Sequence, residues 1–102
     1  MSSEYHEPRE VLSSHHLNVK RVIDSMREEL EAVDWYRQRA HATEDPQLKK
    51  ILDHHQREEL EHFAMLLEWA RRHDADFDQQ LRAYLFRDGD IVEAEEDERS
   101  KL

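Results

Sequence analysis

A single break, Thr43-Glu44-Asp45-Pro46-Gln47, separates two stretches in which seam residues recur at alternating intervals of three and four. Upstream, Val19, Val22, Met26, Val33, Tyr36 and Ala40 keep this rhythm once Glu29 fills the gap after Met26. Downstream, Leu48, Leu52, His55, Glu59, His62, Leu66 and Trp69 keep it. Such a heptad-like period marks one face of a helix. With one Gly and two Pro in 102 residues, little interrupts long helices. The spacing predicts a first helix from near Pro8 to about Thr43 and a second from about Pro46 to His73. Each is about 40 Å or more at roughly 1.5 Å per residue. Asp45 suits the N-cap of the second helix and Pro46 its first position. A short third helix is predicted over 77–86, capped by Asp74 or Asp76, with Phe77, Leu81, Tyr84 and Leu85 on its apolar side and Gly89 ending it. Residues 1–8 read as a flexible arm, 9–87 as the helical domain and 88–102 as an acidic disordered tail.

The fold class is therefore all-α. Two long helices joined by a short turn lie antiparallel as a hairpin. Charged residues make up 39% of the chain and hydrophobic ones 37%, which suits amphipathic helices that pack on a partner better than a large private core. A hairpin cannot cover both of its own seams. The simplest partner is a second copy, which completes a four-helix bundle.

The formal charge of −10 excludes several functions. Nucleic-acid binding needs a basic surface to meet phosphates, and anionic membranes repel an acidic one. An acidic surface attracts cations. No cysteine is present, so disulfides and thiolate metal sites are unavailable, and carboxylate and imidazole remain as metal ligands. No apolar run approaches the roughly 18 residues of a membrane span. The start, MSSEYHEPRE, lacks the form of a signal peptide, so the expected compartment is cytoplasmic.

Glu59 and His62 form a Glu-x-x-His motif on one helical face, where both can reach one ion. Against 8 histidines and many glutamates, chance alone yields about one such motif, so position is the stronger signal. Both residues interrupt the seam of the second helix, and Glu29 interrupts that of the first. Burying an unpaired carboxylate costs several kcal/mol. One such residue could set register. Glu on one helix with Glu-x-x-His on its neighbour is half of the ligand set of a carboxylate-bridged di-iron bundle. A twofold axis supplies the other half. Counted from the turn, Glu29 lies as far back as Glu59 and His62 lie forward, so the three share one height.

The blocks MREELEAVDWYRQRA (26–40), DPQLKKIL (45–52), EELEHFAMLLEWARR (58–72) and LRAYLF (81–86) closely resemble the encapsulated ferritins, in order and spacing, from about His6 to Arg87. The resemblance implies a two-helix protomer that dimerises into a ferritin-like four-helix bundle, five dimers forming an open decameric ring. It implies a ferroxidase that oxidises Fe²⁺ with oxygen at the dimer interface, two irons per dimer, for storage as mineral. By position it makes Glu29, Glu59 and His62 of each subunit the iron ligands and Tyr36 the tyrosine beside the centre. It makes Glu28 and Glu31 the glutamates of a metal-uptake site open to calcium or other divalent ions. Asp24, Glu28, Glu31 and Trp35 also form a strip at helical spacing turned away from the Glu29 seam.

An open ring has no room for mineral, so the resemblance implies an encapsulin shell as storage vessel, in a bacterial or archaeal cytoplasm. Members of that family reach the shell through a short C-terminal targeting peptide. The tail here, VEAEEDERSKL, carries no apolar segment of that kind. The terminal Ser-Lys-Leu has the form of a peroxisomal address, which a prokaryote does not read, and is taken as coincidence or a scar.

Blander readings stand beside these. Trp35 and Trp69 read as packing residues. His54 and His55 diverge by about 100° on a helix and are poor co-ligands; His15 and His16 are read the same way. The rival functions are a non-catalytic helical assembly module, with seam histidines as a pH switch, and a metal-binding protein without oxidase activity.

Overall fold

The computed structural model of the chain describes residues 4–101. The first three residues of the expected arm, and Leu102 of the terminal Ser-Lys-Leu, lie outside the described residues. Every regular element among the described residues is helical. The chain divides into two units, Met1–Trp69 and Ala70–Leu102, with the second helix running through the division.

The first unit holds the hairpin. Its first long helix, α1, is Ser14–Ala42, not a helix from Pro8. The reason is local. Arg9–Val11 form a separate 3-10 turn, Leu12 is extended, and Ser13 breaks the path as N-cap, its Oγ accepting from the His16 N–H at 3.0 Å. The arm also touches α1. The Tyr5 ring has Arg9 Cζ 5.0 Å and Lys20 Nζ 4.7 Å from its centroid, two cation–π contacts of about 0.5–1 kcal/mol each at an exposed site.

The second helix, α2, is Pro46–His73. The turn before it is built as the sequence implies. Asp45 Oδ1 accepts from the Leu48 N–H at 2.9 Å, and Thr43 Oγ1 accepts from the Asp45 N–H at 3.2 Å. Lys49 Nζ donates to the Ala40 carbonyl at 2.9 Å, satisfying one of the carbonyls orphaned at the end of α1. Four cross-helix contacts fix the register: Lys49 with Ala40, Gln56 with Arg37, His55 with Tyr36 and His62 with Glu29. The residue numbers in each pair add to between 89 and 93, and a near-constant sum is the signature of antiparallel packing.

The buried residues of α1 are Met26, Val33 and Ala40, one per heptad. No large side chain among the described residues is fully buried. Leu48 and Ile51 on α2 are each more than 40% exposed, and Met65 is 58% exposed. At about 100° per residue, all three lie within about 60° of His62 around the helix. The apolar face of the hairpin thus continues past what the hairpin itself covers.

In the second unit, Asp74 is the N-cap of α3, Ala75–Tyr84, accepting from the Asp76 and Phe77 N–H groups at 3.0 Å each. Asp78 joins α3 to the last turn of α2 through Arg71, at 2.6 Å, and also takes Arg82 at 2.8 Å. The helix stops two residues short of the expected Phe86. Leu85 is extended and Phe86 takes a left-handed φ of 59°, so the chain turns before Gly89 is reached.

Residues 88–102, expected to be a disordered tail, contain a further helix, α4, Glu93–Ser100. Composition hid its local support. Asp90 Oδ1 accepts from the Val92 and Glu93 N–H groups at 2.9 and 3.1 Å. Glu93, Glu95 and Glu96 occupy the first turn, where the helix dipole favours negative charge. Arg87 bonds the Ala83 carbonyl at 2.9 Å, Glu98 at 3.1 Å and Asp97 at 3.0 Å, while Ala83 and Ala94 are buried.

Candidate metal centre

Glu29 projects from the middle of α1, and Glu59 and His62 from one face of α2 at the same height. His62 Nδ1 lies 3.6 Å from Glu29 Oε2 and 3.5 Å from Glu59 Oε2. One ligand atom from each of the three lies within 4.8 Å of the others, and among the described residues this is the group of three with that property. The two nitrogen–oxygen separations are too long for good hydrogen bonds. Glu29 Oε2 is buried and has no hydrogen-bond partner.

That orphaned oxygen bears on what the site can hold. Leaving a buried acceptor unmade costs about 1–3 kcal/mol, more when it is charged. Two carboxylates converging on one imidazole add mutual repulsion, which a cation between them would reverse. Oxygen donors with a single nitrogen suit iron or manganese in chemical character. Three protein ligands leave other coordination positions of such an ion open, and His62 keeps 44% of its side chain exposed. The residues present fit a divalent or trivalent ion.

Tyr36 stands two turns along α1 from Glu29, half-buried, with the Arg39 guanidinium carbon 5.6 Å from its ring centroid and the His55 ring at 5.1 Å. Sequence reasoning missed the His55 contact, although the pairing sum of the hairpin leads directly to it. Glu28 is exposed and Glu31 half-buried. The structure does not gather them into a ligand group of three. Asp24, the first carboxylate of their strip, is paired with Lys20 at 3.1 Å and Arg27 at 3.4 Å. Trp35 is 48% exposed. His54 turns to Glu58, at 3.6 Å, instead of to the triad.

No helix of the described residues is long and apolar enough to cross a membrane.

Comparison with known proteins adds a family. The sequence model of the EncFtn-like family matches residues 4–88. A "Ferritin-like protein" of Thermotoga maritima is 47% identical over 97 residues, 95% of this chain and 85% of that protein. An "Encapsulated ferritin-like protein" of Rhodospirillum rubrum is 53% identical over 94 residues, 92% of this chain and 67% of that protein. The crystal structure of protein ne0167 from Nitrosomonas europaea superposes with a TM-score of 0.81 at 53% identity, covering 85% of this chain and 96% of that one.

Proposed function

This chain belongs to the EncFtn-like family, and from that premise we propose that it is a ferroxidase whose di-iron centre forms between two copies. The observation that carries the reading is the buried, unpartnered Glu29 Oε2 facing Glu59 and His62. A chain that kept this carboxylate for register alone would be expected to give it a hydrogen-bond donor. Leaving it bare is the arrangement that metal binding makes favourable.

Fe²⁺ is the substrate. Each copy brings two carboxylates and one imidazole, so a twofold pair brings four negative charges and two neutral nitrogens. Four carboxylates balance two Fe²⁺ in full. Two Fe²⁺ give two electrons to one O₂, which takes two protons from water and leaves as hydrogen peroxide, and the resulting Fe³⁺ ions carry six positive charges. Carboxylates stabilise the higher charge, yet four cannot neutralise it, so the product retains a demand for anions that hydrated mineral can meet. Glu29, Glu59 and His62 are the residues that would hold the ions, which when bound would supply the electron transfer to oxygen. Tyr36 serves the same centre from two turns away. Glu28 and Glu31 gather Fe²⁺, or other divalent ions such as Ca²⁺, at the surface and raise its local concentration.

The exposed Leu48, Ile51 and Met65 around His62 support the twofold partner, since burying them is worth about 25 cal/mol per Å² of apolar surface. We take the assembly to be a decameric ring of dimers that delivers Fe³⁺ into an encapsulin shell in a prokaryotic cytoplasm. The name of the Rhodospirillum rubrum relative supports the shell as destination.

Anaerobic addition of Fe²⁺ followed by oxygen tests the function. A ferroxidase binds one iron per chain, two per dimer, and then consumes oxygen over repeated additions. A metal-binding protein binds without turnover, and an assembly module binds no iron stoichiometrically. Either of the last two results overturns the proposal.

A further inference from the structure

One cross-helix contact lies outside the triad and its chemistry. The imidazole of His55 meets the Tyr36 ring edge to face, with centroids 5.1 Å apart and planes at 81°. Both residues stand on the seams, and each is seven residues from a member of the triad, Tyr36 after Glu29 and His55 before His62. Seven residues are about two turns, or roughly 10 Å along the axis. The next position is tied as well, because Arg37 Nε donates to Gln56 Oε1 at 2.9 Å and locks the two helices at this level. His54, beside it, is tilted 55° to the His55 ring and turned toward Glu58. His55 is therefore the histidine that faces α1 here.

The contact has a mechanical consequence. The hydroxyl oxygen of a tyrosine lies on the axis of its ring, so rotation about that axis does not move it. Its place is set by the first side-chain torsion, which has three staggered wells. A ring packed against the phenol favours the well that keeps the two in contact, and such aromatic pairs have a preferred geometry. Arg39, with its guanidinium carbon 5.6 Å from the ring centroid, restrains the phenol further. Long side chains lean toward the N-terminus of their own helix, and for Tyr36 that direction leads to Glu29.

We infer that His55 is the positioning residue for Tyr36, holding the phenol in the one rotamer that aims it along the seam toward the triad. The inference rests on the ferroxidase reading in one respect, that Tyr36 serves the centre. The positioning contact itself needs no metal.

The test uses the full chain with ¹³C-ring-labelled tyrosine, the Tyr36 signals being assigned by Tyr36→Phe. In metal-free protein, His55→Ala shifts the Tyr36 ring signals toward those of a mobile tyrosine, while His55→Phe, which restores a ring edge, keeps them dispersed. Anaerobic Fe²⁺ stoichiometry is unchanged in both variants. The rate of Fe²⁺ oxidation falls in His55→Ala, by up to about 100-fold for a displacement on the order of 1 Å, and is largely recovered in His55→Phe. Tyr36 signals that ignore His55→Ala overturn the inference. So does a shift of those signals with the oxidation rate left at the wild-type value. Should the wild-type chain itself fail to oxidise Fe²⁺, the ferroxidase reading falls, and the metal-free spectra alone decide whether His55 holds Tyr36.

Discussion

His62 Nδ1 approaches Glu29 Oε2 across the two helices of the hairpin but stops at 3.6 Å, leaving that buried oxygen without a hydrogen bond. The pair is close enough to share an ion and too far apart to satisfy itself. That gap has measurable consequences for stability, assembly and turnover.

Glu29→Gln removes the charge and lets an amide donate toward Glu59. The metal-free variant is expected to be as stable as the wild type or more stable, by up to about 1–2 kcal/mol, because an unsatisfied buried acceptor has been relieved. Oxidation of Fe²⁺ is lost in the same variant. Thermal unfolding of metal-free protein together with an oxygen-uptake assay checks both halves. Clear destabilisation with activity retained would assign Glu29 a structural role.

Metal added to the wild-type chain promotes pairing of copies, since an ion that binds only the paired state stabilises it. At a free concentration of about 100 times the dissociation constant, the gain is about 2.7 kcal/mol. Size-exclusion profiles shift to larger species with Fe²⁺ under anaerobic conditions, and chelation reverses the shift. His62→Ala abolishes the response. Profiles that ignore Fe²⁺ count against an interfacial site.

Glu28→Ala with Glu31→Ala leaves the triad intact and removes surface carboxylates outside it. The double variant is expected to oxidise Fe²⁺ more slowly at low metal concentration and normally at high concentration. Stopped-flow rates across a range of Fe²⁺ show this as a shift in the concentration giving half the maximal rate. An equal loss at every concentration would mean that these residues act on the centre itself.

Asp78 is expected to make the second unit sensitive to acid. The carboxyl of Asp78 is held below its ordinary value, first by the hydrogen bond from Arg71, which outweighs the opposing desolvation, and then by Arg82. A depressed carboxylate pKa contributes stability that is present above the unfolded value, near 3.8, and is lost as pH falls through the lower folded value. Amide exchange over α3 is expected to be flat from neutral pH to about 4, once the intrinsic rate is corrected for, and to rise below it. Asp78→Asn removes that acid step. An unchanged profile in the variant would place the acid-labile contact elsewhere.

The hairpin was legible in the sequence because its determinants are local and periodic. The seams name the faces, and Asp45-Pro46 names the start of α2, where Asp45 indeed accepts from Leu48. The convergence of Glu29, Glu59 and His62 followed from the same arithmetic, since interruptions of two seams equidistant from one turn must meet. Other features depend on contacts that composition does not encode. Ser13, not Pro8, starts α1 because the preceding turn is 3-10. The acidic tail forms α4 because Arg87 reaches Asp97 and Glu98 and Asp90 caps its first amides. The pairing of Asp24 with Lys20 and Arg27 is of this kind too. His55 and Tyr36 were both on seams, but a T-shaped contact between their rings is a matter of rotamers.

The central claim is that one chain holds half a centre and a second copy completes it. Anomalous diffraction from crystals of the assembled protein loaded with Fe²⁺ tests it most directly. The account predicts two iron peaks related by a local twofold axis, bounded by Glu29, Glu59 and His62 of both copies. It is contradicted if those residues of neighbouring copies point apart with no ion between them.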